Sequence, residues 1–269
     1  PHYAIVSLNN MPMWIVTSFV LIIVVLFILY ALFIVFTQKS ITKVQRDFIN
    51  NMTHEFKTPI STISVIQQVI SDPEIVKSPQ RLNTYTKIIG DEIGRLNDQV
   101  EKILNITRLE KRQIEMHKEE VHANEIIDKV IQNLVHMEFE KEVVMEKNLT
   151  AENDIISADK THFTNVICNI IENGIKYSPS NAEIMVVTKN EGKKLEISIS
   201  DKGEGIDKKE IKKIFDKFYR IPKGDTHNVK GFGLGLFYVK QIAQAHQWNL
   251  KVESEPGLGT TFYITIDQK

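Results

Sequence analysis

The sequence predicts a multidomain chain: one transmembrane helix, an all-α antiparallel helical hairpin forming a dimeric four-helix bundle, and an α/β sandwich domain. Three observations predict it. No Lys, Arg, Asp or Glu occurs between Tyr3 and Gln38. After this stretch, apolar residues recur at intervals of three, four and seven. From Gln113 onward the period changes, and short alternating segments interleave with helical ones. A length of 269 residues suits about two domains of roughly 150 residues. The 33 basic and 34 acidic side chains nearly balance, which gives no global bias toward nucleic acid. Cys168 is the single cysteine, so an internal disulfide framework is excluded; its apolar neighbours predict a buried structural thiol.

Residues 13–36 are almost unbroken in apolar character and exceed the roughly 20 residues needed to span a bilayer. Lys39, Lys43 and Arg46 follow at once, whereas His2 is the only potential cation before the span, so the C-terminal side is expected to be cytoplasmic. Trp14 suits an interfacial position, while Tyr30 is deeper than an aromatic belt requires. Residues 1–12 read as an extracytoplasmic stub, and a chain starting at Pro1 reads as a piece of a longer protein.

Beyond the span, Ile41, Val44, Phe48, Met52 and Phe56 continue a helical stripe, and Ile60 and Ile63 extend it past Pro59. Asp72-Pro73 and Ser78-Pro79 reverse the chain. A second helix from about Gln80 to Arg112 carries Leu82, Ile89, Leu96 and Ile103 at heptad spacing, with Ile93 and Val100 offset by four. Two helices cannot bury two such stripes alone, which predicts a homodimer; the competing expectation is a monomeric hairpin packed on the next domain.

In the third region, strands are expected at 113–119, 143–149, 183–189, 194–200, 250–254 and 260–266. Helices are expected at 123–138, 161–176, 207–215 and 233–246. Asn190 to Lys193 reads as a hairpin turn.

Four groups of residues carry chemistry. The run from Phe48 to Pro59 places His54 and Thr58 four apart on one helical face, with Glu55 beside the imidazole and Pro59 bending the helix just beyond. On a later helix, Asn169, Asn173 and Lys176 share a polar face. Amide oxygens there suit magnesium and the lysine suits phosphate, whereas a merely solvated face explains two asparagines poorly. Asp201-Lys202-Gly203-Glu204-Gly205-Ile206 follows a strand; its carboxylate can accept from an adenine amino group, although the motif alone also fits an ordinary turn. Gly231-Phe232-Gly233-Leu234-Gly235-Leu236 opens a helix, where free N–H groups favour an anion. The polar stretch between Arg220 and Lys230 reads as a mobile lid. No P-loop and no dinucleotide-fold glycine spacing is present.

In order and content these motifs resemble a bacterial membrane-bound sensor histidine kinase of a two-component system, over about residues 41–266. Phe48 to Pro59 resembles the phosphoacceptor box, Asn165 to Ser178 the N box, Asp201 to Ile206 the first glycine box, Ile214 to Arg220 the F box and Gly231 to Leu236 the second glycine box. Gly257 to Phe262 is similar to the closing hairpin of a Bergerat ATP-binding fold.

The resemblance implies an ATP-dependent protein-histidine kinase in the bacterial inner (cytoplasmic) membrane. His54 would be the nucleophile, Glu55 its orienting base, and Thr58 the residue that positions water for dephosphorylating a response regulator. ATP would be held by Asn169, Asn173, Lys176, Tyr177, Asp201, Gly203, Gly205, Ile206, Phe215, Arg220, Gly231, Gly233, Leu234, Gly235, Leu236 and Thr260, with Mg2+ on Asn173. The implied divisions are 1–12, 13–36, a dimerisation and histidine phosphotransfer domain at 37–112 and a catalytic ATP-binding domain at 113–269. The implied partner is a cytoplasmic response regulator, without direct nucleic-acid contact. Two departures stand out: Gly174 where alanine is usual, which should weaken the helix by up to about 1 kcal/mol, and Phe232 in place of a small or polar residue. The competing expectation is a degenerate ATP-binding membrane receptor that signals by conformation only. A serine-directed kinase or topoisomerase ATPase of the same ATP fold would have no reason to carry His54 behind a membrane span.

Overall fold

The computed structural model describes residues 13–110, 116–137, 139, 141–179, 181–221 and 232–268. The chain divides into two units, one ending at Ile49 and one beginning at Asn50. In the first, the helical residues from Met13 to Val35 are long and apolar enough to cross a membrane, with mean hydropathy 3.2. Their large side chains point outward, as at Phe19, Phe27 and Phe33. The Thr17 hydroxyl donates to the Met13 and Trp14 carbonyls, so this polar group is satisfied within the helix.

These residues open helix α1, Met13–Ile70, which carries Pro59 in its interior. In the second unit Pro59 and Ile66 are buried. Reversal comes where Asp72-Pro73 and Ser78-Pro79 stand, through a single turn α2, Pro73–Val76, before α3, Pro79–Glu110. On α3, Leu82, Ile89, Leu96 and Ile103 are half-buried, whereas Ile93, Val100 and Leu104 are exposed.

The α/β region follows with β1 (Glu119–His122), α4 (Ala123–Val135), β2 (Val143–Leu149), β3 (Ile155–Ala158), α5 (Lys160–Tyr177), β4 (Ala182–Glu191) and β5 (Lys194–Asp201). A 3-10 turn at Lys213–Phe215, α6 (Gly235–His246), β6 (Asn249–Glu255) and β7 (Gly259–Asp267) complete it. The main sheet has five strands in the order β2-β4-β5-β7-β6, with β2 parallel to β4 and the other pairs antiparallel; β1 and β3 form a separate antiparallel pair. Alternate residues of β4, β5 and β7 face one core, including Ile184, Val186, Ile197, Ile199, Phe262 and Ile264. Helix α5 closes it with Phe163, Val166, Ile167, Ile170 and Ile171, so the same helical period that builds the core leaves Asn169 and Asn173 on the opposite flank.

Three expectations need correction. The strand expected at 113–119 lies at Glu119–His122, and residues 111–115 fall outside the described residues. β3 was not foreseen, because Ile155 and Ile156 are its only large apolar residues. No α-helix forms at 207–215. Asp207 Oδ1 accepts from Lys209 N at 3.1 Å, its carbonyl accepts from Glu210 N at 2.8 Å, and Lys213 N bonds Glu210 O at 2.8 Å, so the segment closes into three-residue turns.

Candidate active site

His54 is exposed on α1, and with Lys57, Thr58, Ser61 and Thr62 it lines an open pocket. The residue four on, Thr58, turns its hydroxyl back to the His54 carbonyl at 3.4 Å, and Thr62 repeats the bond to Thr58 O at 3.1 Å. Pro59 lies on the opposite, buried side. Glu55, half-buried, is adjacent in sequence. The expected sharing of a face by His54 and Thr58 is therefore met.

The second group of residues converges on one end of α5. Asp159 caps the helix start, accepting from His162 N at 3.0 Å. At the other end Ser178 Oγ donates to Gly174 O at 2.8 Å, and Lys141 Nζ donates to Ser178 O at 2.6 Å, so the last turn is held firmly. The Asn169 amide nitrogen donates to Asn165 O at 2.7 Å. Its oxygen therefore faces Gly235 at the start of α6. A methyl group at position 235 would lie 2.7 Å from Asn169 Oδ1 and 3.7 Å from Asn173 Nδ2. Glycine at this position lets the backbone approach the amides without pushing the Asn169 side chain aside.

Asp201 lies beside the same helix, α5, where a methyl at Gly174 would stand 3.1 Å from its Cβ. It ends β5, paired with Ile184 on β4 and Thr260 on β7. Its Oδ1 accepts from Gly203 N at 2.8 Å. Burial pushes its carboxyl above the ordinary value, against the pull of the Gly203 and Thr260 N–H groups. Gly205 and Gly259 both have positive φ, at 69° and 109°, and a Cβ on either would lie 2.0 Å from a backbone oxygen. For Gly259 that oxygen belongs to Asp201, so the closing hairpin presses directly on the carboxylate's own backbone. Ile206 N donates to Ser254 Oγ at 2.8 Å, and Ser254 in turn donates to Gly259 O at 2.9 Å, tying the first glycine segment to β6 and β7.

Gly174 also has a packing reason. A methyl there would stand 2.7 Å from Ile184 Cδ1 and 3.1 Å from Asp201 Cβ, so the missing side chain admits Ile184 to the helix surface.

Tyr177, at the end of α5, is buried enough to push its hydroxyl upward, while the charge of Arg220 and a hydrogen bond from it oppose the shift. Lys176 Nζ lies 5.6 Å from the Tyr177 ring centroid. Phe215 packs edge-on against Phe262 at 6.5 Å. Leu234 is buried and Leu236 half-buried at the start of α6. Phe232 meets Phe56 of α1 with ring centroids 6.1 Å apart. Gly231 and the polar stretch expected to form a lid lie outside the described residues, apart from the ends of that stretch at Arg220 and Ile221. Ser254 supports the site without having been found in the sequence; its role depends on contacts between segments far apart in the chain, which periodicity does not report.

A helical hairpin that exposes a histidine, joined to an α/β domain in which a glycine-rich helix start meets two asparagines, is the arrangement of a histidine kinase. Residues 44–112 match the His Kinase A (phospho-acceptor) domain family, and residues 158–269 match the histidine kinase-, DNA gyrase B- and HSP90-like ATPase family. The chain belongs to the sensor histidine kinases. It is similar to the sensor protein RprX of Bacteroides fragilis, with 45% identity over 92% of this chain and 48% of that protein. It is also similar to the sensor histidine kinase WalK of Bacillus subtilis, with 28% identity over 86% of this chain and 38% of that protein. The solved structure of the histidine kinase AdeS of Acinetobacter baumannii shares the fold, with a TM-score of 0.57 and 20% identity over 80% of this chain and 98% of that one. The chain thus spans about half the length, or less, of these two curated relatives.

Proposed function

We propose that this chain is the kinase core of a membrane-bound sensor that phosphorylates His54 from ATP and passes the phosphoryl group to an aspartate of a cytoplasmic response regulator. The observation that carries the reading is the approach of the Gly235 backbone to Asn169 and Asn173, on the helix whose Gly174 packs against Asp201, in a chain that also exposes His54. In this reading residues 13–36 anchor the protein in the cytoplasmic membrane, 37–112 dimerise and accept phosphate, and 113–269 bind ATP on the cytoplasmic side.

The residues divide the work. Asp201 accepts from the adenine amino group, with Gly203, Gly205, Ile206 and Thr260 shaping its surroundings. Tyr177, Phe215 and Arg220 flank the nucleotide. Asn169, Lys176 and the backbone of Gly231, Gly233, Leu234, Gly235 and Leu236 hold the phosphates. The donor set fits Mg2+: Asn173 offers a neutral, hard oxygen ligand, and the remaining ligands would come from phosphate and water. When bound, Mg2+ supplies neutralisation of charge on the phosphates.

His54 acts as a neutral imidazole. Glu55 holds the Nδ1 proton, leaving the Nε2 lone pair to attack the γ-phosphorus; an N–P bond forms as the P–O bond to ADP breaks. Thr58 positions water in the reverse role, hydrolysis of the phosphorylated regulator. Dimerisation accounts for Ile93, Val100 and Leu104, which are 47%, 46% and 49% exposed on α3 and find no cover in a lone hairpin.

Incubation with γ-labelled ATP tests the proposal. An acid-labile, alkali-stable label that disappears in His54→Gln is expected. An acid-stable label, or one that persists in His54→Gln, refutes it.

A further inference from the structure

We infer that Glu210 is a positioning residue for the nucleotide: through the hydroxyl of Tyr219 it fixes the backbone on which the second glycine segment rests. The inference depends on the nucleotide-binding reading above and adds two residues to which that reading assigns no role.

Glu210 is buried, 8% exposed, although it lies in a stretch rich in exposed lysines. Its backbone is locked by the surrounding turns, since Lys213 N and Ile214 N both donate to its carbonyl, at 2.8 and 3.0 Å. Its carboxylate accepts from the Tyr219 hydroxyl and from Lys213 Nζ at 3.3 Å. A buried carboxylate with two donors is a fixed point in the fold. Burial and the neighbouring Glu210 push the Tyr219 hydroxyl up to about 12, so it stays a donor at every physiological pH.

What Tyr219 fixes is a strained piece of chain. Phe218 has φ of 66°, a left-handed conformation that a bulky residue holds only when its surroundings impose it. Phe218 N donates to Gly233 O at 3.0 Å. Gly233 is also left-handed, at 68°, and a Cβ there would stand 2.8 Å from Tyr219 O and 2.9 Å from the Phe218 carbonyl carbon. The two backbones are in direct apposition. Two residues beyond, Gly235 lies against Asn169 and Asn173. Displacement of Tyr219 therefore moves the glycine segment relative to the α5 amides, and Glu210 is what holds Tyr219 in place.

The test uses the full chain in detergent or nanodiscs, with Glu210→Ala, Glu210→Gln, Tyr219→Phe, the Glu210→Ala/Tyr219→Phe double variant and Asp201→Asn, measuring ATP dissociation constants by calorimetry and KM and kcat of autophosphorylation. Loss of a charge-assisted bond is expected to weaken ATP binding and raise KM about tenfold in Glu210→Ala and Tyr219→Phe alike. The expected kcat at saturating ATP is unchanged. The double variant should match either single one, and Glu210→Gln, whose amide oxygen still accepts, should recover most of the affinity. Tyr219→Phe removes a single oxygen, so it and Glu210→Gln remain informative if Glu210→Ala unfolds. Wild-type affinity in Tyr219→Phe, additive losses in the double variant, or a fall in kcat at constant KM would overturn the inference. If Asp201→Asn loses ATP while Tyr219→Phe does not, the inference alone fails; if the wild type binds no ATP, the site reading fails with it.

Discussion

The helical hairpin and the α/β domain solve the burial problem differently. In the α/β domain, Ile127, Phe163, Ile167, Val186, Leu195 and Ile197 are completely buried, so sheet and helices finish a core without help. In the hairpin the heptad row of α3 is only half-buried, and Ile60, Val65, Ile93 and Val100 are about half exposed. Apolar surface on this scale is stable in water when something covers it. One region can hold a geometry fixed to fractions of an ångström. The other leaves apolar surface for a partner to cover. That division suits a nucleotide site on the first and a regulated phosphoacceptor on the second.

The contrast breaks most severely at Gly259. Valine there would need an unfavourable φ near 109° and would drive a Cβ to 2.0 Å from Asp201 O. The three atoms it would meet all belong to the backbone of Asp201 and Lys202, so backbone has to move. Gly259→Val is expected to cost about 3 kcal/mol or more and to abolish ATP binding, measured by denaturant unfolding and calorimetry. A comparable insertion in the hairpin has no such effect: Gly90 and Gly94 have open space around their Cα positions, and Gly94→Ala should leave stability unchanged or slightly raised.

Second in size is the loss of association. Val100→Glu places a charge on the bare face of α3, and the dimer dissociation constant should rise about a hundredfold, or about 3 kcal/mol. Sedimentation of the hairpin-containing chain measures this. ATP affinity should be unaffected, because the α/β domain completes its own core. A dimer unmoved by Val100→Glu would place the exposed row outside the interface.

Parts of this contrast were legible in the sequence. The long helical stripes of α3 and α5 and the strand at Val143–Leu149 are dictated by local periodicity, and the Asn190–Lys193 turn by Gly192, which takes φ of 63°. The motif residues Asn169, Asn173 and Asp201 were readable because each is one residue type at one spacing. Other features were not. The segment 207–215 has helical composition, yet Asp207 and Glu210 spend their side chains on a turn and on Tyr219. Ser254 couples Ile206 to Gly259 across strands, a relation visible only once the sheet register is known. Gly174 was read as a flaw in helix propensity, whereas Ile184 occupies the space that its side chain would fill.

A third expected effect is confined to the α/β domain. His246 is buried, with Nε2 accepting from Asp159 N at 3.1 Å and Nδ1 donating to Ile242 O at 3.0 Å, and its ring stacks on Trp248. This arrangement requires neutral imidazole. Burial lowers its pKa, and burial does the same for His162. Because the folded pKa lies below the unfolded one, the unfolded chain takes up protons first, so stability present above about pH 6.5 is lost as pH falls toward the folded value. The thermal midpoint of the α/β domain should drop by a few degrees between about pH 7.5 and pH 5.5. His246→Gln, which keeps an acceptor for Asp159 N, should flatten most of that slope, with His162 supplying the rest. A slope unchanged in His246→Gln would assign the acid sensitivity elsewhere.

The smallest effect probes how closely the rigid region is packed. Helix propensity alone says that Gly174→Ala should stabilise α5 by up to about 1 kcal/mol. The packing says otherwise, because the added methyl would press on Ile184 Cδ1 at 2.7 Å and stand near Asp201 Cβ at 3.1 Å. The Ile184 tip can swing aside; Asp201, paired on both sides in the sheet, cannot. With the Asp201 backbone held, only its side chain can turn away, so Gly174→Ala is expected to be close to neutral in stability and to weaken ATP binding a few-fold by rotating the carboxylate. Removing the obstructing methyl should separate the two contributions. In Gly174→Ala/Ile184→Val the propensity gain should emerge as roughly 0.5 kcal/mol of added stability, while the ATP defect, which belongs to Asp201, should persist. If the double variant restores both, the methyl acts through Ile184 alone, and Asp201 tolerates the alanine side chain.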